Sequence, residues 1–87
     1  MKIDYSNEFK KQLKLMLKRG EKIDLLNKVV DMLVSGEKLP KKYNDHELHG
    51  EFKGYRDCHI KPDWVLIYSI EPNLLYLYKT GTHSDLF

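Results

Sequence analysis

The chain has 87 residues, 41% hydrophobic and 32% charged, which is enough for one small domain with a thin core. No run approaches the ~20 apolar residues of a membrane span. The lone Cys58 rules out an intrachain disulfide, and neither a glycine-rich phosphate loop nor an HExxH pair occurs.

Charge is unevenly spread. The net +2 divides into 11 Lys and Arg against 6 Asp and Glu over residues 1–44, and 4 against 7 over residues 45–87. The basic first half suits a polyanion such as RNA, or an acidic protein partner. Met1-Lys2-Ile3-Asp4 leads into polar sequence, so no secretion signal is expected. With a single cysteine, a reducing cytoplasm is the expected compartment.

Residues Met1–Tyr5 suit a short strand. Ser6 is placed to cap a helix, with Glu8 in its first turn. Phe9, Leu13, Met16 and Leu17 fall on one helical face, while Lys10, Lys11, Lys14 and Lys18 lie largely away from it. Gly20 stops this helix. Ile23, Leu26, Val30 and Leu33 mark the apolar face of a second helix that Gly36 ends. The short connection predicts an antiparallel helical hairpin.

A link of about a dozen residues follows from Leu39-Pro40 through Asn44, Asp45 and His46 to Gly50. Strands are expected near Lys53–Ile60, Trp64–Ile70 and Leu74–Lys79, with turns at Pro62 and at Glu71-Pro72-Asn73. The run Trp64-Val65-Leu66-Ile67-Tyr68 fits a strand buried on both faces. The tail Gly81–Phe87 is polar until its last two residues. Two helices followed by antiparallel strands predict an α+β fold, a helical hairpin packed on a small antiparallel sheet.

The second half carries the chemistry. His46, His49, His59 and His83 all lie there, and a reference pKa of about 6.5 suits histidine to moving protons near neutrality. Asp63 follows His59 across the Pro62 turn. Arg56, Lys61 and Lys79 can stabilise phosphate charge, and Tyr55, Trp64 and Phe87 can stack bases. His49 has no evident role.

A metal site is not expected. His46 and His49 fall in a loop, where their spacing does not fix one face, and only one cysteine is present. Cys58 and His59 are adjacent strand residues and point to opposite faces, which weakens a nucleophilic pair. What remains is acid–base chemistry on RNA without a metal. A base takes the ribose 2′-OH proton, cations hold the phosphate, and an acid protonates the 5′ leaving oxygen.

Three ordered motifs sharpen this reading. They are Asp45-His46-Glu47-Leu48-His49-Gly50, the stretch from Gly54-Tyr55-Arg56-Asp57-Cys58-His59 through Ile60-Lys61-Pro62-Asp63-Trp64 to Tyr68, and Thr80-Gly81-Thr82-His83-Ser84-Asp85-Leu86-Phe87. With the helical hairpin and strand order, they resemble the YafQ branch of the RelE/ParE toxin superfamily over essentially the whole chain. The resemblance implies a bacterial type II toxin that enters the ribosomal A site and cuts mRNA. It implies no cofactor, no membrane, a cognate acidic antitoxin, and the neighbouring 2′-OH as nucleophile.

Carried over by motif, the catalytic set is His46, His59, Asp63 and His83, with Trp64 and Phe87 as supporting or RNA-packing positions. His83 is the expected acid and His46 the expected base, with His59 and Asp63 as positioning groups or alternates. Lys79 departs from the branch, whose members tend to carry Arg just before the Thr-Gly-Thr-His motif. A point charge there replaces a planar fork. Two rivals share the fold: a ParE-like toxin that poisons gyrase without cutting RNA, and an inactive module that only binds antitoxin. Fold alone does not separate the nuclease from the ParE-like binder; the His/Asp cluster, which a pure binder would not need, does.

Overall fold

The computed structural model describes residues 1–87. In chain order its elements are strand β1 (Lys2–Tyr5), helices α1 (Asn7–Lys18) and α2 (Ile23–Val34), strands β2 (His46–Glu47), β3 (Arg56–Lys61), β4 (Trp64–Glu71) and β5 (Leu74–Gly81), and a one-turn helix α3 (His83–Leu86). The sheet order is β1-β5-β4-β3-β2, so β4 lies at its centre. That position explains the apolar run: Trp64, Val65, Leu66, Ile67 and Tyr68 are all fully buried.

Strands β3 to β5 pair antiparallel, as expected, and β2 adds antiparallel to β3, but β1 runs parallel to β5, making the sheet mixed. The partner of β1 lies some seventy residues away, and no local pattern encodes its direction.

Helix α1 begins at Ser6, whose hydroxyl accepts the Phe9 N–H at 2.9 Å. It packs on β5 and α2 packs on β3. Phe9, Met16, Leu26, Val29, Val30 and Leu33 are buried between helices and sheet. The helical stripes are not wholly consumed by this packing. Leu17 and Ile23 remain 38% exposed. With Ile3, Tyr5, Leu13 and Leu26 they line an open groove of about 620 Å³ between the helices, edged by Lys10, Lys11 and Lys14.

A bulge in β5 sets the character of the other face. Leu77 pairs with Tyr68 and Lys79 with Ile67, which leaves Tyr78 as the extra residue. Leu75 and Leu77 face the helices. After the bulge the alternation reverses, so Lys79 faces away from the helices and Thr80 turns inward. The helix-free face therefore carries Asp57 and His59 from β3, Val65 and Ile67 from β4, and Lys79 and Gly81 from β5.

The link and the tail hold more structure than expected. A 3₁₀ turn at Lys41–Tyr43 buries Tyr43, and β2 then joins the sheet edge. The tail forms α3, closed by a capping box between Thr82 and Asp85.

Candidate active site

Register assembles the first part of the site. His46 on β2 stands directly opposite Asp57 on β3, and His59 follows Asp57 on the same face two residues on. Asp57 Oδ1 lies 3.8 Å from His46 Nδ1 and 3.7 Å from His59 Nε2. Each imidazole is oriented by a backbone carbonyl. His46 Nδ1–H donates to the Asn44 carbonyl at 2.8 Å, and His59 Nδ1–H donates to the Pro62 carbonyl at 3.2 Å. A carbonyl can only accept, so each neutral ring carries its proton on Nδ1 and keeps a basic lone pair on Nε2.

The loop that presents His46 is anchored beneath. The Arg56 guanidinium donates to both Asp45 oxygens at 3.2 and 3.3 Å, and the Tyr68 hydroxyl donates to Asp45 Oδ1. Burial, and then this bond to Asp45, raise the Tyr68 phenol, so it stays a donor.

The second part comes from the tail. Asp63 Oδ1 accepts the His83 N–H at 3.3 Å and lies 3.5 Å from His83 Nδ1. The His83 and His59 rings are 5.0 Å apart, centre to centre. Helix α3 is too short to hold His83 by itself. Arg19 at the end of α1 donates to Asp85 at 2.7 and 3.4 Å, while Asp85 accepts the Thr82 N–H at 3.0 Å. The Arg19 bond, then the Thr82 bond, lower the Asp85 acid to about 2. The pair is therefore lost only as pH falls through about 2. Gly81 makes room for this fold-back, since a Cβ there would stand 3.0 Å from Asp85 Cβ.

So the structure draws His46, His59, Asp63 and His83 to one end of the helix-free face. His49 is exposed and outside the cluster. Phe87 is 59% exposed, 6.0 Å from the His83 ring and edge-on to Phe52, and it can still receive a base. Tyr55 is half-buried and stacked on Tyr78 at 4.5 Å.

Other candidates sit differently from expectation. Trp64 presents no stacking face: it is fully buried on the helix side, and its Nε1–H donates to Thr80 Oγ1 at 2.9 Å. A fully buried indole supports the site from below. The Arg56 guanidinium is committed to Asp45, with Glu47 3.6 Å away, because Arg56 pairs with Tyr68 on the opposite face from His59. The Lys61 ammonium donates to Glu21 at 2.8 Å. The Lys79 ammonium faces outward, but it donates to Glu8 at 3.1 Å and lies over the Tyr78 and Phe52 rings. Cys58 is fully buried, and burial pushes its thiol up, which suits a core residue rather than a nucleophile.

Asp57 is the residue that sequence reasoning missed. It is 3% exposed and its Oδ1 has no hydrogen-bond partner. Burial holds its acid above the ordinary carboxylate value, although His46, His59 and His83 draw it downward. Its two-residue spacing from His59 was the available signal. No three His, Cys, Asp or Glu side chains of the chain converge as ligands for a metal ion.

A helical pair laid on a mixed sheet in this strand order is the RelE/ParE toxin architecture. The chain belongs to the YafQ family within it: the profile of the bacterial toxin of the type II toxin-antitoxin system, YafQ, matches residues 1–87. The mRNA interferase toxin YafQ of Escherichia coli K12 is 43% identical over 98% of this chain and 94% of its own length. In the crystal structure of the E. coli DinJ-YafQ complex, the matching chain is 42% identical with a TM-score of 0.91, over 99% of this chain and 97% of that one. A metal-bound toxin from Helicobacter pylori is 44% identical with a TM-score of 0.93, over 100% and 99%.

Proposed function

We propose that this toxin is a ribosome-dependent mRNA endoribonuclease. It cuts in the A site by acid–base chemistry, with the ribose 2′-OH as nucleophile. The observation that carries this reading is the pairing of carbonyl-oriented imidazoles with a third histidine held on its own capped turn. A gyrase-binding toxin has no need of that arrangement. The E. coli relative's name, an mRNA interferase, supports it.

In this mechanism His46 Nε2 takes the 2′-OH proton, with His59 as the alternate base. The 2′-oxygen attacks the adjacent phosphorus, and the 5′-oxygen leaves as His83 protonates it. Asp63 holds His83 in place, and Phe87 packs a flanking base. The protein groups carry every step, so no metal is assigned a role.

Lys79 supplies positive charge as the phosphate gains negative charge, after exchanging Glu8 for the phosphate. Lys79→Ala is expected to slow single-turnover cleavage by about tenfold, with ribosome binding little changed. Lys79→Arg should match or exceed wild type. A wild-type rate for Lys79→Ala would leave Lys79 as a surface partner of Glu8.

The cognate partner is an acidic antitoxin with a segment that orders on contact. The apolar groove between α1 and α2, edged by Lys10, Lys11 and Lys14, suits such a segment. The E. coli YafQ is seen in complex with DinJ.

The direct test is the purified chain with ribosomes programmed by a defined mRNA, followed by mapping of new 5′ ends. Cleavage confined to the A-site codon, and none on the same RNA without ribosomes, is expected. Expressed alone, the soluble folded chain should arrest growth, and co-expressed antitoxin should relieve the arrest. Intact mRNA together with inhibited gyrase would favour the ParE-like rival.

A further inference from the structure

The reaction above leaves one buried titratable group unused. Asp57 stands between the two imidazoles that can act as base, yet makes no hydrogen bond through Oδ1. A buried carboxylate kept for the fold alone is ordinarily saturated with donors, because desolvating it without partners is costly. Here the nearest donors are spoken for. Both Nδ1–H groups point to carbonyls, and the His59 nitrogen facing Asp57 carries a lone pair when that ring is neutral.

We infer that Asp57 is a positioning residue of the nuclease, whose negative charge steadies whichever imidazole, His46 or His59, becomes a cation on taking the 2′-OH proton. The inference rests on the nuclease reading. At 3% exposure Asp57 does not touch RNA and acts only through the rings. Its value is differential. Facing neutral His59, it sets an anion against a lone pair. Facing charged His59, it meets an Nε2–H and a full positive charge. The charged His46 ring gains the same attraction at 3.8 Å. An interaction that strengthens as the proton moves lowers the barrier rather than tightening ground-state binding.

The surrounding charges fit this role. His83 on α3 adds to the positive side when protonated. Asp45, the other nearby anion, is neutralised by Arg56 and so does not compete for the imidazoles. Two bases at near-equal distance from one anion also explain why a single carboxylate can serve either.

The test is Asp57→Asn, which keeps the shape and removes the charge. Single-turnover cleavage on saturating programmed ribosomes should fall about 10- to 100-fold. The melting temperature should hold or rise, because a partnerless buried anion is gone and an amide N–H can meet His59 Nε2. In a background lacking both His46 and His59, Asp57→Asn should leave the residual rate unchanged.

A wild-type cleavage rate for Asp57→Asn overturns the inference alone. So does a loss of fold or a lower melting temperature, which would make Asp57 a structural residue. Absence of cleavage by the unsubstituted protein removes the nuclease reading and this inference together.

Discussion

His83→Ala is expected to lower single-turnover cleavage by about 10²–10⁴-fold, the usual contribution of a positioned general acid. Fold stability should change by less than about 0.5 kcal/mol, because the side chain is 51% exposed and fills no core volume. The backbone N–H that binds Asp63 survives the substitution, so α3 keeps its place. Ribosome binding should also persist. Loss of cleavage without loss of binding or stability identifies His83 as part of the chemistry. A wild-type rate would move the acid elsewhere, and Asp63, 3.5 Å away, is the next candidate.

Trp64→Ala is expected to cause the largest loss of stability, about 3–5 kcal/mol. Its indole fills the middle of the sheet's helix-facing side and donates to Thr80 Oγ1, whose own hydroxyl donates to the Val65 carbonyl at 2.8 Å. In a domain of this size that corresponds to a fall in melting temperature of roughly 12–40 °C. Trp64→Phe keeps most of the volume and loses one buried hydrogen bond, at a cost of about 1 kcal/mol or somewhat more. It should cut mRNA at the wild-type rate per folded molecule. A tenfold loss of cleavage in Trp64→Phe with its melting temperature intact would return Trp64 to the RNA interface.

These two residues show what was legible in the sequence and what was not. An unbroken apolar run rich in β-branched and aromatic residues fits a doubly buried strand, and β4 is one. The Ser6 cap and both helices followed from spacing alone. Trp64 lies within that buried run, but residue type alone does not say whether its ring faces the helices or the site. That depends on strand alternation referred to the whole sheet.

The β5 bulge at Tyr78 is a further case. It decides that Lys79 faces outward, and only the β4–β5 register reveals it. The parallel pairing of β1 was beyond reach for the same reason. Helix α3 has no periodicity to read in four residues, although Thr82 and Asp85 spell a capping box that could have marked its start. Asp57 was passed over beside the more reactive-looking Cys58 and His59. Its importance comes from His46 across the β2–β3 pair, a contact with no sequence signature.

Histidine acid–base cleavage with an internal nucleophile leaves its mark in the chemistry of the cut ends. The reaction is run on programmed ribosomes with a zinc-preferring chelator present and Mg²⁺ buffered, and the termini are then identified. Undiminished cleavage is expected, with 5′-OH ends and 2′,3′-cyclic or 3′-phosphate partners. Termini bearing 5′-phosphate, or cleavage that stops when trace transition metals are removed, would contradict it.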